Sequence, residues 1–379
     1  MNDSDRLSLP ARTAVHLRDS GSATVTDLAR ALDISRTSVE SSLAQLSAMG
    51  IVTETASPAG PRTAGRPART YEFRSGAGVV AGIDVGTHSV RVLLADLSGT
   101  VLSRHSFPGV DTASTGAEQI DAVISHLRTA LAADGVDPAA LRAIGVSLPG
   151  IVDVSGRVLT SVIIPGWASI DLPAQFQSAF GCPLAIDNGV RLAALAEHHL
   201  GAARLVDDVL YVSVGTRVAA GAILGGLARR GSHNVAGDIG RLAVSQSDPT
   251  TGEIVWRTAP TGEEVAQRAA SGDLDARDEI EQLIDDLGRS IALLTMALDP
   301  AIVVVGGGMS LARDAFREPL ARAVARHTAL PFELPIVSAA LGADAAAYGA
   351  VVFAFDRCAD AIHGGVALPR PRIVPLAAG

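Results

Sequence analysis

The sequence predicts a mixed α/β protein in two unequal parts, a winged helix-turn-helix head followed by a two-lobed α/β body. Three observations predict it. Short amphipathic stretches fill the first 50 residues, two short strand-like runs then flank a Pro/Gly/Arg-rich segment, and from Val79 onward glycine-punctuated Val/Ile/Leu strands alternate with Ala/Leu-rich helical stretches. With 379 residues there is room for two or three domains, and 48% apolar against 19% charged residues excludes bulk disorder.

In the head, Ala11–Arg18 supplies a first helix and Asp27–Leu32 a second. Across the short Asp33–Ile34 connection Ser35 is placed to cap a third, in which Val39, Leu43 and Leu46 recur at spacings of four and three and the stripe continues to Met49. Its other face carries Arg36, Thr37, Ser38, Ser41 and Ser42, a helix-turn-helix pattern. Ile51–Thr55 and Thr70–Phe73 read as the strands of a wing around Ser57–Arg69. There Arg62, Arg66, Arg69 and Arg74 meet only Glu72, and Gly76–Gly78 marks a boundary that makes residues 1–76 the head.

In the body, Val79–Val85, Ser89–Leu94 and Val101–Phe107 predict a meander, followed by a helix near Ala117–Ala132 and a strand at Ala143–Leu148. The theme returns at Val209–Val214, Val218–Leu224 and Ile302–Val305. Strand, glycine turn and strand thus occur twice, at Asp84-Val85-Gly86 and Ser213-Val214-Gly215, which predicts lobes at 77–190 and 191–355 facing a cleft. Ile280, Leu283, Ile284, Leu287, Ile291 and Leu294 keep helical spacing and predict a long core helix. Residues 356–379, with Pro369 and Pro371, read as an extended tail.

Charge divides the classes of partner. All 31 basic residues are Arg, 40 residues are acidic and the net charge is −9, yet residues 1–76 hold nine Arg against eight Asp/Glu. A polyanion is therefore expected at the head. Ser35, Arg36, Thr37, Ser38, Ser41 and Ser42 offer a helix face to the major groove, and Arg62, Arg66 and Arg69, stiffened by Pro67, offer a basic arm to an A·T-rich minor groove. Glu40 is discordant on that face, and the bland alternative is a small protein-interaction module. Cys182 and Cys358 are too few for a disulfide framework or a four-Cys zinc site, which fits a cytoplasmic protein. The start, MNDSDRLSLP, lacks signal-peptide character, and no apolar run approaches the roughly 20 residues that span a bilayer, so no membrane partner is expected.

Val79–Ala95, Ile144–Asp153, Ile186–Glu197, Val209–Gly221, Ala236–Leu242 and Leu298–Met309 together resemble the ROK family (repressors, open reading frames and sugar kinases). The resemblance implies an actin-like (ribonuclease H-like) ATPase/sugar kinase fold around a sugar and ATP cleft, and the head points to the family's repressor branch. It also implies where chemistry is missing. The catalytic base falls on Gly189 in Asp187-Asn188-Gly189, and a neighbouring family Asn falls on Arg191. The phosphate turns read Asp84-Val85-Gly86-Thr87-His88 and Gly215-Thr216-Arg217, each with a glycine replaced. The sugar-binding and zinc-ligating Glu-x-Gly-His reads Asp238-Ile239-Gly240-Arg241, and Ser245–Glu264 lacks the family's cysteines, which leaves that loop to be held by packing.

No kinase activity, cofactor or metal is therefore expected, since loss of a base alone costs about 10²–10⁴ in rate. A pocket for a sugar or sugar-phosphate effector is expected at Gly150, Asp187, Asn188, Arg191, Asp238 and Arg241. The competing reading is that Asp187 or Asp238 forms an internal salt bridge with a neighbouring Arg. The function expected is a homodimeric or higher-order repressor of carbohydrate-related genes that binds double-stranded operator DNA. A sugar kinase with a fused DNA-binding head, and a ligand-independent DNA-binding scaffold, are the alternatives.

Overall fold

The computed structural model describes residues 7–55, 69–309, 314–328 and 332–376. Helix α1 (Leu9–Ser20) starts where the Ser8 side chain accepts from the Ala11 N–H, and Pro10 fits its first turn. Strand β1 (Ala23–Thr24) leads into α2 (Val25–Leu32), opened by a reciprocal Thr24–Asp27 capping box and closed by Asp33 in the left-handed conformation. Helix α3 (Arg36–Ala48) is capped by Ser35. Strands β2 (Val52–Thr55) and β3 (Thr70–Phe73) pair antiparallel, and β1 adds to the far edge of β3. Ala14, Leu17, Leu28, Val39, Leu43, Leu46 and Val52 form the core beneath.

The first sheet is built from β4 (Val79–Val85), β5 (Ser89–Asp96) and β6 (Val101–Pro108), then β7 (Leu141–Leu148) after α4 (Gly116–Ala133). A hairpin of β8 (Ile151–Val152) and β9 (Val158–Thr160) and helix α5 (Leu172–Phe180) precede β10 (Leu184–Asn188), which runs into α6 (Gly189–His199). The order is β10-β7-β4-β5-β6, parallel through β10, β7 and β4 and antiparallel beyond. Both faces are covered, which is why β4 and β7 read as nearly unbroken apolar runs. One face packs on α4, α5 and the buried Trp167.

The second sheet uses β11 (Val209–Val214), β12 (Val218–Leu224) and β13 (Leu227–Ala228). After α7 (Gly262–Ala270) and α8 (Leu274–Leu298) come β14 (Ile302–Gly306), α9 (Asp314–Thr328) and β15 (Ile336–Ser338), in the order β13-β12-β11-β14-β15. Leu283, Leu287 and Ile291 of α8 and Phe316 and Leu320 of α9 close one face of it. On the other side α6 lies between the sheets, turning Leu192 and Leu195 toward the first and Ala193 and Ala194 toward the second.

Helix α10 (Ala345–Arg357), followed by the short α11 (Ala359–Ile362), returns to the first sheet, although the sequence reading carried the second lobe to residue 355. Glycine makes the approach possible. A Cβ on Gly145 would sit 1.9 Å from the Ala350 carbonyl oxygen, and one on Gly349 equally close to that of Leu192. The second lobe is thus an insertion between α6 and α10.

Residues 356–362, expected to be extended, instead end α10 and form α11; the described chain beyond them is without helix but is tied down. Val366 and Leu368 enter the apolar core of the head, the His363 ring meets Phe73 edge-on, and Arg18 donates to the Pro369 carbonyl at 2.6 Å. Val374 then accepts from the Val101 N–H at 2.9 Å, which ties the segment to the first lobe. Proline spacing signals extension but not what the extended chain will touch.

Candidate functional site

Helix α3 turns Val39, Leu43 and Leu46 into the head, so Thr37, Ser41, Ala44 and Ala48, three or four apart, form its exposed stripe. All four are small. Ser35, Arg36 and Glu40 are exposed on one flank, and Ser38 is half-buried with its hydroxyl 2.8 Å from that of Ser35. Gln45 is exposed beyond Ser41 and, with Thr37, lines a groove of about 370 Å³ against Leu9 and Pro10 of α1.

Ser42 does not belong to this face. It is 3% exposed and donates to Thr13 Oγ1 at 3.2 Å, and the Thr13 hydroxyl in turn donates to the Leu9 carbonyl, a buried link between α3 and α1. Arg69 is exposed at the foot of the wing, 3.3 Å from Glu54. Arg62 and Arg66 lie outside the described residues.

In the body, the end of β10 and the first turn of α6 bring four of the expected effector residues into one bonded cluster. The Asn188 side chain accepts from the Val190 and Arg191 N–H groups and donates to the Gly150 carbonyl at 2.8 Å, so it caps α6 and holds the neighbouring loop. Asp187, 2% exposed, accepts from the Asn188 N–H and from Arg191, and its other oxygen lies 2.7 Å from Arg230. Arg191 also donates to the Asn234 carbonyl at 3.2 Å. Burial pushes the Asp187 carboxyl above its usual range, against the pull of Arg191 and Arg230. Of the two readings weighed for Asp187, the internal salt bridge is present. Asp238 and Arg241, farther along the same loop, are exposed to solvent.

Gly189 opens α6 with no side chain, and a Cβ there would meet Ser147 Oγ at 3.0 Å. That hydroxyl donates at 2.7 Å to Asp84, whose carboxyl is raised by burial, with Ser147 and Arg91 pulling it back. Arg217, in the second turn, donates to the Thr251 carbonyl at 2.8 Å and pairs with Glu253 at 2.6 Å, so its charge is already compensated.

The 245–264 loop is held by more than packing. Asp286 of α8 accepts from the Ser245 N–H at 2.7 Å, and the fully buried Glu279 accepts from the N–H groups of Arg257 and Thr258 and from the Thr258 hydroxyl. Burial pushes Glu279 up, but these bonds and the Arg257 charge outweigh it and hold the carboxyl below its usual range. Among the described residues, no group of three or more His, Cys, Asp or Glu is placed to hold a metal, and no helix is long and apolar enough to cross a membrane.

Two residues of this region escaped the sequence reading. Arg230 was legible only as half of an Arg-Arg pair before a glycine, and Gln45 only as the polar residue one turn after Ser41.

Residues 80–253 and 242–357 match the ROK family. The chain is 22% identical over 329 residues to the xylose repressor of Caldicellulosiruptor bescii, across 78% of this chain and 82% of that one. Its fold matches that of the ROK hexokinase from Thermus thermophilus at 27% identity and a TM-score of 0.62, over 74% of this chain and 99% of the hexokinase. It also matches a ROK family transcriptional regulator, a homologue of the E. coli MLC protein, at 22% identity and a TM-score of 0.66, over 96% of this chain and 98% of the other.

Proposed function

This chain belongs to the ROK family, and on that premise we propose that it is a DNA-binding repressor of carbohydrate-related genes whose kinase-like body senses an effector instead of phosphorylating it. The observation that carries the reading is the state of the cleft. The family resemblance puts the base at Gly189, and the adjacent carboxylate of Asp187 is tied to Arg191 and Arg230, so among the described residues at the start of α6 no unpaired carboxylate is placed to take a hydroxyl proton. A Glu or Asp base must reach its proton directly or through one water, and both oxygens of Asp187 are already engaged by Arg191, Arg230 and the Asn188 N–H. The xylose repressor similarity and the small-residue stripe of α3 support DNA as the partner of the head.

The active form is a homodimer or higher homo-oligomer in the cytoplasm, with two α3 helices set in successive major grooves of a pseudo-palindromic operator. The exposed Ser35, Arg36, Thr37 and Ser41 and the half-buried Ser38 contact the duplex, and Arg62, Arg66 and Arg69 supply further cationic contacts to it. An effector acts by preferring one spacing of the two heads over another.

Fluorescence anisotropy with labelled promoter duplexes at several salt concentrations tests the DNA half of the reading. Binding that prefers one duplex and weakens steeply with salt is expected, and indifference to every promoter of the surrounding genes refutes it. Incubation with ATP, magnesium and a panel of sugars tests the other half: turnover to a phosphate ester would restore the kinase alternative.

A further inference from the structure

A pocket for neutral sugars presents carboxylates with free lone pairs to hydroxyl donors. The side-chain cluster at the start of α6 presents the opposite charge. Asp187 Oδ1 is taken by the Asn188 N–H and Arg191, and Oδ2 by Arg230 at 2.7 Å, so two guanidiniums stand on one carboxylate. The Arg191 side chain is 5% exposed, and its Nε is buried without a hydrogen-bond partner. A buried unmet donor on a charged group is costly and asks for an acceptor.

The surroundings do not cancel the excess. Arg230 lies 5.5 Å from the centre of the Phe353 ring, and its guanidinium is held below its ordinary range first by burial and then by Arg191 and Arg357, with Asp187 and Asp153 acting the other way. The Asp153 carboxylate is engaged within its own turn by Ser155 and the Arg157 N–H. Arg357 donates to the Val154 carbonyl at 3.3 Å, on the same side. Three arginines thus face two aspartates, and the positive end of the 11-residue α6 adds to them.

Resting on the effector reading above, we infer that this cleft takes an anionic carbohydrate, bearing a carboxylate or a phosphate, in place of a neutral sugar. The anion accepts from Arg191 Nε and from the N–H groups of Arg230 that Asp187 and the Asp153 carbonyl leave over, while Asp187 keeps both side chains in place. Bonds of this charge-assisted kind discriminate strongly between an acid and the matching neutral sugar.

The test is titration calorimetry and thermal shift on the full-length protein with matched probes: glucose, glucuronate, glucose 6-phosphate and inorganic phosphate, at low and moderate salt. An anionic sugar is expected to raise the unfolding temperature where glucose does not, and its affinity is expected to fall as salt rises. The glucuronate and glucose 6-phosphate arms separate a carboxylate ligand from a phosphate. In Arg230→Gln, with folding checked by circular dichroism, affinity for the anion is expected to drop about tenfold to a hundredfold. Tighter binding of glucose than of either acid overturns the inference and leaves the sensing reading standing. Stabilisation by no sugar or sugar acid in a wider panel removes both. Should Arg230→Gln fold poorly, the wild-type comparison of acid with neutral sugar still decides the class.

Discussion

Leu368→Ala tests whether the chain's last segment is part of the head. Leu368 is 3% exposed and shares a core with Leu17, Leu28, Val39 and Leu43, more than 300 residues earlier in the sequence. Truncating a buried leucine costs about 2–5 kcal/mol, and the lower half of that range suits a site at the rim of a small core. For a domain of this size each kcal/mol shifts the midpoint by roughly 4–8 °C, so the head should melt about 10–20 °C lower. Both tryptophans, Trp167 and Trp256, lie in the body. Tryptophan emission therefore follows the body, while loss of operator binding with temperature follows the head. The variant is expected to release the operator early and to leave the tryptophan transition nearly in place. An unchanged release temperature, or equal loss in both signals, would refute the assignment of the tail to the head.

Ser41→Glu sets a carboxylate on the exposed stripe of α3 and should weaken operator binding about tenfold or more, measured by anisotropy. Ser42→Ala should instead lower stability by about 1 kcal/mol through loss of the buried link to Thr13, with operator affinity of the folded protein within about twofold of the original. His363, held neutral by burial to about 4, binds its proton more readily unfolded than folded, so its contribution is complete above pH 6.5 and is lost as pH falls from there toward 4. His363→Phe should flatten the head's stability over that window in a pH series of thermal melts. Glu279, depressed below 4.5, contributes above that value and loses its contribution as pH falls further. Glu279→Gln should cost about 1–3 kcal/mol at pH 7 and remove that acid-side loss in denaturant titrations. Gly189→Asp is expected to give no sugar phosphorylation, since the two phosphate turns stay altered, and turnover by that variant would show them competent.

The sheets were legible because their strands are buried on both faces and read as apolar runs between glycines; the predicted β4, β7, β11 and β12 fall within two residues of the observed bounds. The cap at Ser35 and the stripe of α3 follow from local rules and stand as read. What failed was long-range. Ser42 sits at the edge of the helical wheel, and its fate was decided by Thr13 on another helix. The 245–264 loop lost its cysteines in the sequence, but nothing nearby announced that Glu279 and Asp286 would supply its hydrogen bonds from α8. Arg230 reached Asp187 across more than 40 residues, and α10 crossed back over a whole lobe to reach Gly145. Pairings of this kind are set by topology, which periodicity does not encode.

The return of α10 to the first sheet also sets a timetable for making the molecule. The ribosome delivers β4, β5 and β7 about 200 to 260 residues before α10, a delay of roughly 10–50 s at about 5–20 residues per second. Until then Val80, Leu93 and Ala143 have only α6 on that face and lack the cover of α10, which leaves apolar surface exposed on the nascent chain. The N-terminal head, though translated first, gets Val366 and Leu368 last. A chain ending before Val366 would therefore leave the head's core without two of its buried side chains.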